Sequence, residues 1–117
     1  MVTRALPSFV IEVREYVDAK GRSPYRDWLV KLDSGAIARI IAAVLRMESG
    51  NFSAAKGVGA GVSELRLDFG PGYRVYFGRD GERLVILLAG GTKRRQQADI
   101  EAARVLWAEY KRRKREE

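Results

Sequence analysis

From Phe9 to Tyr16 apolar and polar positions alternate, with Phe9, Ile11 and Val13 on one side and Val10, Glu12 and Arg14 on the other. A period of two predicts a strand with one buried face. The period then lengthens. Ser23-Pro24 supplies a capping hydroxyl followed by proline at the first helical position, and Tyr25, Trp28, Leu29 and Leu32 follow at helical spacing. Asp33 and Ser34 can cap a second helix with the stripe Ile37, Ile40, Ile41, Val44 and Leu45, which Gly50 ends. Residues 51–61 show no periodicity and read as a mobile, glycine-containing loop with Lys56 in its middle.

Three strand-like runs come next: Val62 to Phe69, Tyr73 to Gly78 and Leu84 to Ala89. They are separated by Gly70-Pro71-Gly72 and by a turn containing Asp80-Gly81, which makes them a meander. The run Leu84 to Leu88 does not alternate, so this strand is expected to be central and covered on both faces. From about Gln96, Ile100, Ala103, Leu106, Trp107 and Tyr110 form a third helical stripe. The order β-α-α-β-β-β-α predicts an α+β fold with a mostly antiparallel sheet, and the absence of a linker predicts one domain over residues 1–117. Trp28, Trp107 and Tyr25 are read as core residues.

Composition narrows the chemistry. With 22 Lys and Arg against 15 Asp and Glu, the formal charge is +7, which favours polyanionic partners through long-range attraction and counterion release. The chain has no Cys and no His, which removes thiolate and ordinary zinc sites and histidine-assisted nucleophiles. Proton transfer is left to Lys, Arg, Tyr, Asp and Glu, and neither a metal nor a cofactor is expected. The start of the sequence lacks a long apolar stretch, and no run of about 18 apolar residues occurs, so a cytoplasmic protein without a membrane segment is expected.

Strand alternation places Leu65, Leu67 and Phe69 on one face of the first meander strand and Glu64, Arg66 and Asp68 on the other. In the neighbouring strand Val75 and Phe77 continue the apolar side, so Arg74 and Tyr76 should share an open surface with Arg66. Such a set suits RNA cleavage by a neighbouring 2'-hydroxyl, because the substrate supplies the nucleophile and the protein handles charge and protons. Lys93, Lys56 or Tyr76 are the proton carriers, if cationic neighbours lower a Lys or Tyr pKa. The competing reading pairs Arg66 and Arg74 with Glu64 or Asp68 and makes Tyr76 an ordinary sheet aromatic. Lys93, Arg94 and Arg95 either grip phosphates or form the solvated entrance to the last helix. For the basic tail, residues 111–117, fraying into solvent is the preferred reading. The segment Lys56 to Gly61 is no phosphate loop, since it lacks a Gly-Lys-Ser/Thr ending and leads into a strand.

Several separated stretches together resemble a known family: Glu64-Leu65-Arg66, Phe69 through Phe77, Leu87-Leu88-Ala89-Gly90-Gly91-Thr92-Lys93, then Gln96 and Asp99-Ile100, preceded by Pro24, Trp28 and Leu29. The pattern is similar to the addiction-module killer proteins of the RelE/ParE toxin superfamily, in their phage-derived Gp49-like and HigB-like branch. The resemblance implies a compact RelE-like sheet with two N-terminal helices packed on one face. It also implies a cognate helix-turn-helix antitoxin as partner, the protein being a monomer or bound in a complex with it. In RelE-like members the activity is messenger RNA cleavage on the ribosome, and Arg66, Arg74 and Tyr76, with Lys93 next, match the catalytic positions. Lys56, Arg94 and Arg95 are the candidate RNA-binding residues. Thr92 departs from the pattern, standing where an acidic residue precedes the lysine. Two other functions suit the same fold: a ParE-like inhibitor of DNA gyrase, and a non-catalytic binder of antitoxin or nucleic acid.

Overall fold

The computed structural model describes residues 10–117. Phe9, and with it the start of the expected first strand, lies outside the described residues. The elements are β1 (Glu12–Glu15), α1 (Pro24–Leu29), α2 (Ser34–Glu48), β2 (Ala55–Gly59), β3 (Val62–Leu67), β4 (Tyr73–Arg79), β5 (Leu84–Thr92), a 3-10 turn (Lys93–Arg95) and α3 (Gln96–Arg115). The fold is α+β. Its five strands lie in the order β1-β5-β4-β3-β2, with β1 parallel to β5 and all other neighbours antiparallel.

Both early helices start as the sequence predicts. The Ser23 hydroxyl accepts from the Arg26 N–H at 3.1 Å, and the Asp33 carboxylate accepts from the Ala36 N–H at 2.9 Å, each satisfying an otherwise orphaned first-turn donor. The buried line of α2 differs from the expected stripe. Ala36, Ile40, Ala43, Val44 and Met47 face the sheet, while Ile41 and Leu45 stay 42% and 51% exposed. Packing along that line decides the rotation of the helix.

The segment expected to be a mobile loop contains a strand instead. Ala55 to Gly59 pairs with β3, and Ala60 and Gly61 close the hairpin with φ of 55° and 81°. Two successive positive φ angles are what a tight two-residue hairpin turn requires, which explains glycines that periodicity alone leaves unread.

Each face of the sheet carries its own core. Beneath α1 and α2 lie Ile11, Leu65, Leu67, Tyr73, Val75, Phe77, Val85 and Leu87; beneath α3 lie Tyr16, Val62, Tyr76, Ile86 and Leu88. As its unbroken apolar run predicts, β5 is interior and covered on both sides, although β4 occupies the middle of the sheet. A bulge between β4 and β5 pairs Tyr76 with Ala89 but Phe77 with Leu87, leaving Leu88 as the extra residue. One added residue inverts the alternation beyond it, so Gly90 faces Trp28 of α1 and Gly91 faces Asp99 of α3.

The basic end of the chain does not fray. Helix α3 continues to Arg115; Lys114 and the Tyr110 hydroxyl both reach Asp80 at 2.6 Å, and Arg113 donates to the Val17 carbonyl at 2.7 Å. No helix among the described residues is long and apolar enough to cross a membrane.

Candidate functional site

Strand pairing brings the expected residues into two cross-strand rows on the α3 side of the sheet: Arg66, Arg74 and Gly91 in one, Lys56, Glu64, Tyr76 and Ala89 in the other. The shared face is therefore as predicted, but the open surface is not. Tyr76 is 0% exposed, in the core that Ile100, Ala103 and Trp107 of α3 complete, and Arg74 is 6% exposed. Of the two arginines only Arg66 keeps its side chain 40% exposed.

Glu64 is the hub, and it too is fully buried. Its carboxylate accepts from the Arg66 Nε at 2.6 Å and from the Gln96 side-chain amide at 2.9 and 2.8 Å, and lies 3.8 Å from the Arg74 Nε. A carboxylate removed from water needs this density of donors, since an unpaired buried charge costs several kcal/mol, of the order of 3–5. The arginine–glutamate pairing considered from the sequence is thus present, as a hydrogen bond to Arg66 and as a charge contact to Arg74, whose buried Nε has no hydrogen-bond partner among the described residues. Gln96, the first residue of α3, was visible only as part of a motif; its contact with a strand 32 residues earlier has no local signal.

Around this hub Arg74 donates from Nη1 to the carbonyls of Gly72 and Tyr73 at 3.2 Å each, and the Lys93 N–H donates to the same Gly72 carbonyl at 2.9 Å. Gly72, at φ 74°, lets the two segments approach: an added Cβ would lie 3.2 Å from the Lys93 Cβ and 3.5 Å from Arg74 Nη1. Asp99 packs its carboxylate over Gly91, where any larger residue would collide with it. Burial pushes the Asp99 carboxyl above the usual carboxylate range, and the Arg95 guanidinium opposes that shift. Tyr76 moves the opposite way from the expectation of a lowered value. Burial, then the negative charges of Glu64 and Asp99, push its phenol well up, and Arg74 opposes them only partly. Its hydroxyl is buried near the Glu64 carboxylate and makes no hydrogen bond of good geometry among the described residues.

Lys93, Arg94 and Arg95 lie exposed at the mouth of this cluster, in the 3-10 turn that leads into α3. Neither that turn nor α3 has a side-chain cap. Three consecutive cations therefore sit at the positive end of a 20-residue helix, where the macrodipole disfavours them and favours an anion. Lys56 is exposed on β2, next to Glu64 in the register but at the sheet edge. Among the described residues no cluster of three or more acidic side chains is placed to hold a metal ion.

An uncharacterized protein of Haemophilus influenzae is 43% identical over 91 residues, which is 77% of this chain and 92% of that relative. A family model described as phage-derived protein Gp49-like matches residues 27–113, a span that runs from the second half of α1 through α2 and the meander and includes the whole cluster around Glu64. The chain belongs to the phage-derived Gp49-like family.

Proposed function

We propose that the protein is the toxin of a type II toxin–antitoxin pair and that it cleaves messenger RNA, presented by the ribosome, until a cognate antitoxin neutralises it. The Gp49-like family is associated with RelE- and HigB-like toxins. The observation that carries the cleavage reading is the uncapped, cation-ringed start of α3 beside an exposed Arg66 anchored on buried Glu64.

In this reading a scissile phosphate sits at the mouth of the cluster. Arg66 donates to its non-bridging oxygens, and because Glu64 fixes the guanidinium beforehand, little reorganisation accompanies the rise of charge in the transition state. The substrate's 2'-oxygen attacks phosphorus, the bond to the 5'-oxygen breaks, and a 2',3'-cyclic phosphate and a 5'-hydroxyl result. Asp99 accepts the proton of the 2'-hydroxyl. A carboxyl with raised proton affinity suits that step, and Asp99 places an acidic group near Thr92, where the resemblance leads one to expect a carboxylate. Lys93 supplies the proton to the departing 5'-oxygen. Lys56, Arg94 and Arg95 hold flanking phosphates, and Arg74 keeps the Gly72 turn and Lys93 in register.

Brief induction in cells followed by mapping of new RNA 5' ends tests this reading. Cuts inside translated regions that vanish in Arg66→Ala are expected; growth arrest without cuts overturns it. One observation favours a second reading, arrest by binding a target such as DNA gyrase. Tyr76 and Arg74, which match catalytic positions of RelE-like toxins, are buried, Tyr76 in the core beneath α3.

A further inference from the structure

We infer that the groove between α2 and the end of β3 is a track for single-stranded RNA, an inference that rests on the reading above for the identity of the polyanion. The groove has a volume of about 560 Å³ and is lined by Arg39 and Arg46 of α2, Asn51 and Ser53 of the following connection, and Arg66 and Asp68. It exists because β2 stops short. The last ladder bond runs from the Arg66 N–H to the Ala54 carbonyl at 3.0 Å, and beyond it the edge of the sheet is open. Arg66 thus lines the groove on one side and contacts Glu64 on the other. A strand bound at the α3 mouth passes round this edge into the groove.

Three features select a nucleic acid strand. Arg39 and Arg46 are seven residues apart, two helical turns or about 10.5 Å, so both project along one stripe of α2. Between them Ala42 and Ala43 keep the floor low. Neither arginine makes an ion pair with a described residue, even though Asp68 lines the same groove, so both guanidinium groups are available to phosphates. Finally, the Arg39 guanidinium carbon lies over the Phe69 ring, 4.6 Å from its centre. A guanidinium and an aromatic ring side by side are the groups on which an unstacked base can pack, and single strands present such bases while duplexes do not. Asn51 and Ser53 add neutral hydrogen-bonding groups beside it.

The test is binding of a fluorescein-labelled oligoribonucleotide carrying 2'-O-methyl sugars, which cannot be cut by 2'-hydroxyl attack. Affinity is read by anisotropy at several salt concentrations. The double variant Arg39→Ala, Arg46→Ala is compared with Arg112→Ala, Arg115→Ala, which removes the same charge from the far end of α3. The groove variant is expected to bind at least about 10-fold more weakly, and its log K against log salt slope to be shallower by about 1.4, two contacts at about 0.7 each. Phe69→Ala, checked for native circular dichroism, is expected to weaken binding with the slope unchanged. Equal losses in the two double variants, or no binding by the parent protein, overturn the inference. So does displacement of the RNA by polyglutamate at equal charge concentration, which marks an acidic protein segment as the occupant. Groove-dependent binding without cuts in cells overturns the ribonuclease reading alone; cuts with groove-independent binding overturn the track alone.

Discussion

The two faces of the sheet are built from the same strands yet solve different problems. Beneath α1 and α2 the buried residues are apolar or aromatic: Tyr25, Leu29, Ile40, Met47, Val75, Phe77, Val85 and Leu87 among them. Beneath α3, Val62, Ile86 and Leu88 share the interior with Glu64, Arg74 and a tyrosine whose hydroxyl makes no hydrogen bond of good geometry. A dry face gains stability from every side chain it hides. The polar face must first recover the desolvation of its charges, and a buried ion pair seldom exceeds a hydrophobic replacement in stability. The first face carries the fold, and the second spends part of that stability on holding charged groups in fixed positions.

Breaking the polar hub should have the largest effect. Glu64→Ala leaves Arg74 buried without its counter-charge and Gln96 without an acceptor, and a loss of about 4 kcal/mol in urea denaturation is expected. The double variant Glu64→Leu, Arg74→Leu should recover most of that loss while abolishing any activity that depends on Arg66. If the double variant is as unstable as the single, the cluster contributes to stability and the contrast between the faces fails.

The glycine pair on β5 compares the faces at adjacent positions. In Gly90→Ala the new methyl lands inside the Trp28 ring, which is confined by Tyr25 and Tyr73 at centroid distances of 6.2 Å, so a loss of about 3 kcal/mol is expected. In Gly91→Ala the methyl meets the Asp99 carboxylate, which can swing towards solvent, so about 1 kcal/mol is expected. Thermal melts of both variants check the ranking. Equal losses would mean that Asp99 is held as rigidly as the aromatic cluster.

That glycine pair also marks where sequence reasoning stops. Alternation assigned Glu64, Arg66, Arg74 and Tyr76 to one face, and the structure agrees, because a period of two depends only on backbone geometry. What lies above that face is a tertiary matter. The stripe of α3 shows that the helix is buried somewhere, not that it crosses Tyr76. The Leu88 bulge resets the phase of β5 with no turn residue to announce it. Strand β2, Ala-Lys-Gly-Val-Gly, has little strand propensity of its own and forms by pairing with β3, aided by the Arg104 guanidinium of α3 donating to the Val58 carbonyl. Helix starts were legible for the opposite reason, since Ser23 and Asp33 act on N–H groups three residues away.

Alkaline pH should weaken the first face in a way traceable to one residue. Burial, reinforced by the Glu15 carboxylate and opposed by Arg26, pushes the Tyr25 phenol up to about 12. A phenol raised in the folded state keeps its proton there while the unfolded chain loses it near pH 10. Stability is therefore full below about pH 10 and falls as pH rises towards 12. Between pH 9 and pH 11 the Tyr25 contribution to this fall is about 1 kcal/mol. Tyr110, raised to about 12 by burial and its bond to Asp80, contributes a parallel slope from the other face. Urea denaturation at the two pH values should show a shallower decline in Tyr25→Phe than in the parent. An unchanged decline would place the alkaline sensitivity on the α3 side.

The smallest expected effect has the opposite sign. In Tyr76→Phe the ring stays where it packs against the α3 core, and only a buried hydroxyl without a hydrogen bond of good geometry is removed. Relief of that desolvation should leave the protein unchanged or more stable by up to about 1 kcal/mol. Paired with the RNA end-mapping experiment, the same variant separates two roles for the tyrosine. Cleavage that survives in a stabilised Tyr76→Phe protein makes Tyr76 part of the packing, in keeping with its full burial. Cleavage lost from a protein of undiminished stability means that the hydroxyl meets substrate after all. The start of α3, uncapped and crowded with cations, must then lift from the sheet when RNA binds, while Lys114 and Tyr110 hold the far end of the helix on Asp80.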